Sequence, residues 1–466
     1  MRVNRPGMAW LIAAALGSAA ALPAAAAPAA APAAEAAKAK EILKRSVAFK
    51  TVEGQGQVPA YAAFLASVLK EAGFPDSDIE IAKMGETATL VAHYRGTSDA
   101  KPIVLLGHMD VVEAKPADWE RDPFTAVEEN GYIFGRGSED NKFDVSMMVA
   151  TLARLKAGGY KPRRTLILAL SGDEETQMAT TRALAKKFAG AELALNGDGG
   201  GGQLTEANAP IFYGLQAGEK TYADYQLEVT DPGGHSSAPT GSNAIYRLAR
   251  ALGRLGDHAF PPMANALTTA SLKTASRQVG GELGAAMARY AANPEDAAAA
   301  ALISSRPEYV GQIRTTCVAT MANAGHALNA LPQRATANVN CRIFPGISID
   351  AVKQELARVV ADPGVKISVI DDPAFSDASP LRPDVMQAVT KAVKARYPKL
   401  EITPSMSAGA TDSLHFRAAG VPSYGVSGLF MRAEDGFAHG LNERIPVAEI
   451  APALAHWRSI LTDLSR

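Results

Sequence analysis

The chain has 466 residues, too many for one ordinary domain, so two or three are expected. Apolar residues make up 47% and charged residues 20%, the balance of a globular protein with a substantial core and not of a disordered chain. The formal net charge of -1 gives no general attraction to nucleic acid or to an acidic membrane surface, and neither is an expected partner.

At the N-terminus, Arg2 and Arg5 precede an apolar run from Met8 to Leu22, and an Ala-rich stretch with A-x-A sites follows. This is the pattern of a secretory signal peptide over residues 1–27, cut near Ala27. A membrane anchor is the rival reading, but the run falls short of the roughly twenty residues that span a bilayer. The expectation is therefore a periplasmic or secreted protein with no stable membrane association after cleavage. Residues 28–36 read as an Ala/Pro leader.

Helical periodicity begins near Glu35 and runs through Phe49, and a second helix is expected over Pro59–Glu71, closed by Gly73. Strands follow at Ile103–Leu106, Thr165–Leu170 and Leu193–Leu195, with an amphipathic helix at Asp144–Lys156. Strands alternating with helices at this spacing predict an α/β sheet covered on both faces. The middle differs. Thr221–Val229 alternates like a half-exposed strand, a helix is expected over Asn243–Leu255, and strands at Arg314–Met321 and Ala335–Phe344 precede a helix at Ile349–Val360. Between them, 258–310 is Ala-rich and helical. After about Asp372 the α/β character returns, with a helix near Asp384–Tyr397 and a strand near Ser423–Val426. The simplest division is an α/β catalytic unit in two parts, 37–217 and 373–466. An α+β lid is inserted at 218–372 and carries a helical insertion at 258–310. The two cysteines, Cys317 and Cys341, flank a loop between predicted strands. One bridge and two buried thiols are both open.

Five segments carry chemistry. His108 and Asp110 follow a strand directly. In such a pair the histidine can bind a metal while the carboxylate takes the proton on its other ring nitrogen. Asp140, in Gly135–Lys142, stands where a helix begins; it reads as a cap or as a carboxylate bridging two metals. Asp173-Glu174-Glu175 puts three acids at a strand end, where a cation would offset their repulsion. Adjacent glutamates can divide the work, one binding metal and one taking a proton from water. Asp198 follows a strand in Asn196–Gly199, and His439 lies far downstream in Ala438–Glu443. Singly, each has an ordinary reading as a polar pair, a turn or a surface group. Together, His108, Asp140, Glu175, Asp198 and His439 form a nitrogen and oxygen donor set suited to zinc.

The order GHMDVV, GRGSEDNK, DEE, NGD and AHGLNE resembles the co-catalytic zinc metallopeptidase family of carboxypeptidase G, aminoacylase, carnosinase and succinyl-diaminopimelate desuccinylase. GGHSSAP and NALP look closest to its carboxypeptidase S branch. The resemblance runs from about Ala37 to the C-terminus. It implies two zinc ions per subunit, with His108 and Asp198 on one, Glu175 and His439 on the other, and Asp140 bridging both across a cis bond that follows it. Glu174 would be the general base and Asp110 would orient His108. His235, in Gly234–Ser237, would reach the substrate carbonyl from the lid. Arg342 and Asn329 would bind the substrate's carboxylate end, and Gly409 and Thr411 would belong to the substrate-binding loop. Phe143, Thr221 and Thr176-Gln177 depart from the family pattern at positions that shape the pocket, and His326 reads as polar surface. The implied activity is hydrolysis of an amide bond beside a free carboxylate, as a carboxypeptidase or dipeptidase on small peptides. An N-acyl-amino-acid deacylase is the alternative, and a non-catalytic metal-binding protein a third reading. A homodimer would fit, since many relatives take the lid histidine from a partner.

Overall fold

The computed structural model describes residues 32–466. The expected signal peptide and most of the leader lie outside the described residues. The leader's last residues are helical, because the first helix runs Ala33–Val47. Pro32 precedes it, alanines favour it, and Glu35 pairs with Arg154 of a neighbouring helix.

Three parallel strands make the middle of a ten-stranded sheet: Leu166–Ser171, Ile103–His108 and Leu193–Asn196, in that spatial order. All three are buried along their whole length. Ile103 and Leu105 enter the core under one layer of helices, while Val104 and Leu106 enter the core on the other face. Burial on both faces is why these strands read as unbroken apolar runs. One layer contains helices Val58–Glu71, Lys142–Ala157, Pro383–Arg396 and Ile450–Leu464, and the other Ala179–Lys187 and Asp412–Ala418. Beyond Leu166–Ser171 the sheet ends in the antiparallel strands Thr87–Tyr94 and Ile79–Met84. In the other direction come Ser423–Gly425, Pro210–Glu219, Gly201–Leu204 and Phe430–Arg432, with Ile402–Ser407 also paired to Pro210–Glu219.

A separate four-stranded antiparallel sheet runs in the order Thr316–Ala324, Arg334–Ile343, Thr221–Thr230, Val365–Ile370. Helices Ala244–Gly256 and Ile349–Val360 cover one face and build a second core with Tyr225, Leu227 and Val339. Both helices start where a side chain caps a free N–H: Asn243 accepts from Tyr246 N at 3.0 Å and Ser348 from Ala351 N at 3.1 Å. Cys317 and Cys341 face each other in register on adjacent strands and form a disulfide.

The helical insertion also packs against the large sheet. Its four helices, Ala266–Val279, Gly281–Ala292, Ala297–Ser304 and Pro307–Ile313, share a small core of their own. The first of them packs on strand Ile402–Ser407 of the large sheet. Leu267 and Thr274, two turns apart on one stripe, face that sheet; Leu267 joins the large core and Thr274 Oγ1 lies 3.0 Å from Thr403 Oγ1.

Candidate active site

The parallel register decides what can meet. His108, the last residue of its strand, is level with Ser171, and Leu106 is level with Asn196. The loops carrying Asp173–Glu175 and Asp198 therefore leave the sheet beside His108, at the carboxyl ends of the strands where open α/β sheets bind ligands. Glycines allow the close approach. A Cβ on Gly107 would lie 2.8 Å from Asn141 Oδ1, and one on Gly197 would lie 2.7 Å from Asp144 Cβ. The helix carrying Asn141 and Asp144 is thereby seated directly against both strand ends, with Asp140 just before it.

The six central residues come together. His108 Nε2 is 2.8 Å from Asp140 Oδ1, and His439 Nε2 is 3.3 Å from Asp140 Oδ2 and 2.9 Å from Glu175 Oε2. One donor atom each from His108, Glu174 and Asp198 lie within 4.8 Å of one another, as do those of His108, Asp140 and Glu175. Asp140 thus turns one carboxylate oxygen to each histidine, and the bond after it is cis.

Asp110 lies against His108, as expected, and has a second task. The nearest acceptor to His108 Nδ1 is the Asp110 carbonyl at 3.0 Å, with the carboxylate 3.6 Å away. That carboxylate instead accepts the backbone N–H groups of Glu174 at 3.1 Å and Glu175 at 3.0 Å. One residue so orients both the histidine and the acidic loop. Asp173 caps the following helix, accepting from Ala179 N at 2.8 Å and Thr180 N at 2.9 Å. Of the three consecutive acids, one is structural and two face the site.

Electrostatics set the demand for a cation. Burial, and then the charge of Asp140, hold the Asp198 carboxyl well above its usual range, and burial does the same for Glu174. Burial also raises Asp140, but hydrogen bonds from His108 and His439 outweigh it and hold that carboxyl low. His439 is pushed up to about 10 by its hydrogen bonds to Asp140 and Glu175. Four carboxylates packed around two histidines favour positive charge, and protons or divalent cations can both supply it. The donor set, with one carboxylate presenting separate oxygens to two sides, fits a pair of ions. His108, Asp140, Glu175, Asp198 and His439 would hold them.

The expected substrate residues lie apart from this cluster in two groups. His235 is exposed; its Nδ1 lies 2.7 Å from Ser237 Oγ, and its two-residue strand pairs with Ala330–Leu331. Asn329, also exposed, accepts Ser236 N through its carbonyl at 3.0 Å. Arg342 stacks on Tyr222 at 4.6 Å and donates to the Ala408 carbonyl at 3.2 Å, which brings it to the loop of Gly409 and Thr411. Thr411 is buried and bonds Glu219 through its N–H at 3.1 Å and its hydroxyl at 2.5 Å. Two clefts flank the cluster. One, of about 230 Å³, reaches from Asp140 and Asp198 along Gly199–Gly202 to Leu429 and Met431. The other, of about 270 Å³, lies between Val52, Met84 and Asp110, and Thr176 and Gln177 line it. Phe143 is fully buried in the large core and Thr221 is fully buried at the start of the smaller sheet. His326 is exposed.

Residues 104–463 match the profile of peptidase family M20/M25/M40. The chain belongs to this family. It is a metallopeptidase-family enzyme with the mixed α/β fold expected. The human protein named N-fatty-acyl-amino acid synthase/hydrolase PM20D1 is 31% identical over 359 residues, covering 74% of this chain and 71% of that one. A Dictyostelium discoideum protein named probable carboxypeptidase S-like 2 is 28% identical over 381 residues, with 77% and 71% covered. Among solved structures, the metallo-carboxypeptidase Sso-CP2 from Sulfolobus solfataricus superposes with a TM-score of 0.68 at 18% identity, covering 91% of this chain and 98% of that one. Human carnosine dipeptidase 1 gives 0.61 at 16%, covering 93% and 97%.

The buried residues that fasten the M20 site were not singled out from the sequence. Glu443 and Arg136 form an ion pair at 2.6 Å between the two loops that carry His439 and Asp140. Asp412 accepts Ser171 Oγ at 3.0 Å and Thr181 Oγ1 at 2.5 Å, and burial pushes its carboxyl up to about 6. Glu219 holds Thr411 and lies 3.1 Å from Arg417. Each lay in plain view as a charged residue, but a pairing across hundreds of positions leaves no local signal.

Proposed function

We propose that this exported enzyme hydrolyses an amide bond next to a free carboxylate, using two zinc ions. The observation that carries the reading is Glu174. Its carboxylate is buried within 4.8 Å of donors on His108 and Asp198, while its backbone is pinned to Asp110. A site that only bound a metal has no use for this extra, proton-avid carboxylate. Bound divalent ions would lower the pKa of a water and polarise the substrate carbonyl. Glu174 takes the proton from that water and delivers it to the leaving nitrogen; burial, by raising its proton affinity, suits it to both tasks. Arg342, through its planar fork, and Asn329 hold the substrate carboxylate, and the loop of Gly409 and Thr411, which Glu219 holds in place, borders the substrate. His235, brought in by lid closure or from a partner in a homodimer, donates to the oxygen that gains charge.

On the acyl side, small peptides and N-acyl-amino acids are both accepted by this scheme. Relatives named for N-fatty-acyl-amino acid hydrolysis, at about a third identity, favour the second as a specific alternative. The test is release of free amino acid from a panel of dipeptides and N-acyl-amino acids, with zinc and then with a chelator. Release from one class, abolished by chelation, assigns the substrate. No release from either class with zinc present sinks the proposal.

A further inference from the structure

Arg136 and Glu443 lie 307 positions apart and meet in the interior, 3% and 0% exposed. The Glu443 carboxylate is saturated. Its Oε2 accepts Arg136 Nη1 at 2.6 Å and Gly137 N at 2.9 Å; its Oε1 accepts Glu139 N at 2.8 Å and Asp140 N at 3.0 Å. The Glu443 carbonyl also takes Gly135 N at 2.9 Å. The whole loop from Gly135 to Asp140 thus hangs on one residue. Arg136 then reaches on to the other loop, with Nη2 3.3 Å from the His439 carbonyl and 3.1 Å from that of Gly440. His439 itself sits at φ +62°, a conformation that needs outside support in a non-glycine residue.

We infer that Arg136 and Glu443 form a positioning pair that sets the distance between Asp140 and His439, and so governs how tightly the second metal is held. The inference rests on the proposed role of those two residues as metal ligands. Stability alone is a weak account of the pair, because a buried ion pair gains little over well-packed apolar side chains. What apolar side chains cannot do is gather four donors onto one carboxylate and point a fifth group at two carbonyls. Ligand-supporting hydrogen bonds of this kind commonly change metal affinity by about 10–100-fold when lost.

The test uses the full-length enzyme, stripped with chelator and titrated with Zn2+ alone, with thermal melting of the stripped form measured in parallel. Glu443→Gln keeps the shape but turns an amide N–H₂ toward two of the donors. The expected result is a first equivalent bound near wild-type affinity and a second bound at least about tenfold more weakly, with kcat restored by excess zinc. Arg136→Lys keeps the charge but cannot hold Glu443 and two carbonyls together. It is expected to do the same, and it decides the matter if Glu443→Gln does not fold. Wild-type affinity for both equivalents, with only the melting temperature lowered, would mean a purely structural pair and overturn the inference. Equal weakening of both equivalents also counts against it, as general loosening. If the wild-type enzyme binds no second equivalent, the two-metal reading fails instead.

Discussion

Along the rim of the large sheet, His108 is 1% exposed and both of its ring nitrogens have partners, Glu443 accepts four N–H groups, and Asp110 accepts two more. In the two-stranded pairing beside the smaller sheet, His235 and Asn329 are exposed; His235 bonds Ser237 in its own turn and the Asn329 carbonyl accepts Ser236 N. The difference follows from burial. A polar group out of water needs its partners in the folded chain itself, so the rim is assembled before any substrate arrives. A group in water has no such need and can wait for the ligand to position it. On the proposed reading the rim serves chemistry and the lid capture, so substitutions in the two regions should fail in different ways.

The largest effect is expected at Glu174. Glu174→Gln should lower kcat by about 10²–10⁴-fold while metal content, read by elemental analysis, stays at the wild-type level. Loss of metal together with activity would move Glu174 from base to ligand and blur the contrast. Next is Arg342→Ala in the lid. Each charge-assisted bond to a carboxylate is worth roughly 10–100-fold, so KM should rise by about that factor for substrates with a free carboxylate. It should change little for the same substrates with an amidated C-terminus. A fall in kcat with KM unchanged would place Arg342 in the rim's machinery.

How much of this was legible beforehand follows the same divide. The central strands Ile103–His108 and Leu166–Ser171 were readable because burial on both faces leaves apolar runs that end abruptly at polar loops. Helix Ile349–Val360 was readable because Ser348 caps it and its apolar stripe faces one sheet. Strands Thr87–Tyr94 and Pro210–Glu219 went unread, as did the C-terminal helix Ile450–Leu464, whose place is set by distant contacts such as Trp457 Nε1 with Asp144 at 2.8 Å. Four of the five donor residues stood out because they follow a strand or stand where a helix begins; His439, in a loop, was readable only through the resemblance. Their supports, Glu443 above all, did not, since nothing near position 443 mentions Arg136. Asp110 was singled out as the partner of His108, but its second task, holding the backbone of Glu174 and Glu175, left no sign in the sequence.

The rim also makes a pH prediction for the metal-free enzyme. His439 titrates near 6.5 when unfolded and is pushed up to about 10 in the fold by Asp140 and Glu175. A raised value means stability that is complete below about pH 6.5 and lost as pH climbs toward 10. Glu174 and Asp198, raised by burial, act in the same direction once pH exceeds their unfolded values. Lys142, pushed down to about 7 by burial, and Lys220, pushed down to about 8, act in the opposite direction over the same window, so the His439 contribution is read as a difference: the chelator-treated wild type should lose more melting temperature from pH 6.5 to 10 than a chelator-treated His439→Ala variant. The zinc-loaded enzyme, whose cations replace those protons, should show a flatter profile. An equal loss in wild type and His439→Ala across that window would show that the carboxylates do not depend on the positive charge of His439.

The smallest effect on activity is expected from the one covalent link, which belongs to the lid. Cys317 and Cys341 close a loop with a sequence separation of 24, for which chain-entropy arguments give a stabilisation of about 3 kcal/mol. Both cysteines lie in the smaller sheet, whose core of Tyr225, Leu227 and Val339 is separate from that of the large sheet. Cys317→Ser with Cys341→Ser should thus lower the melting transition of the lid while metal content stays the same. Because Arg342 is the next residue along the strand from Cys341, any kinetic change should appear first in KM and not in kcat. A double variant that lost metal would show that the lid helps to hold the rim in shape, and the separation between a pre-assembled centre and a waiting clamp would have to be given up.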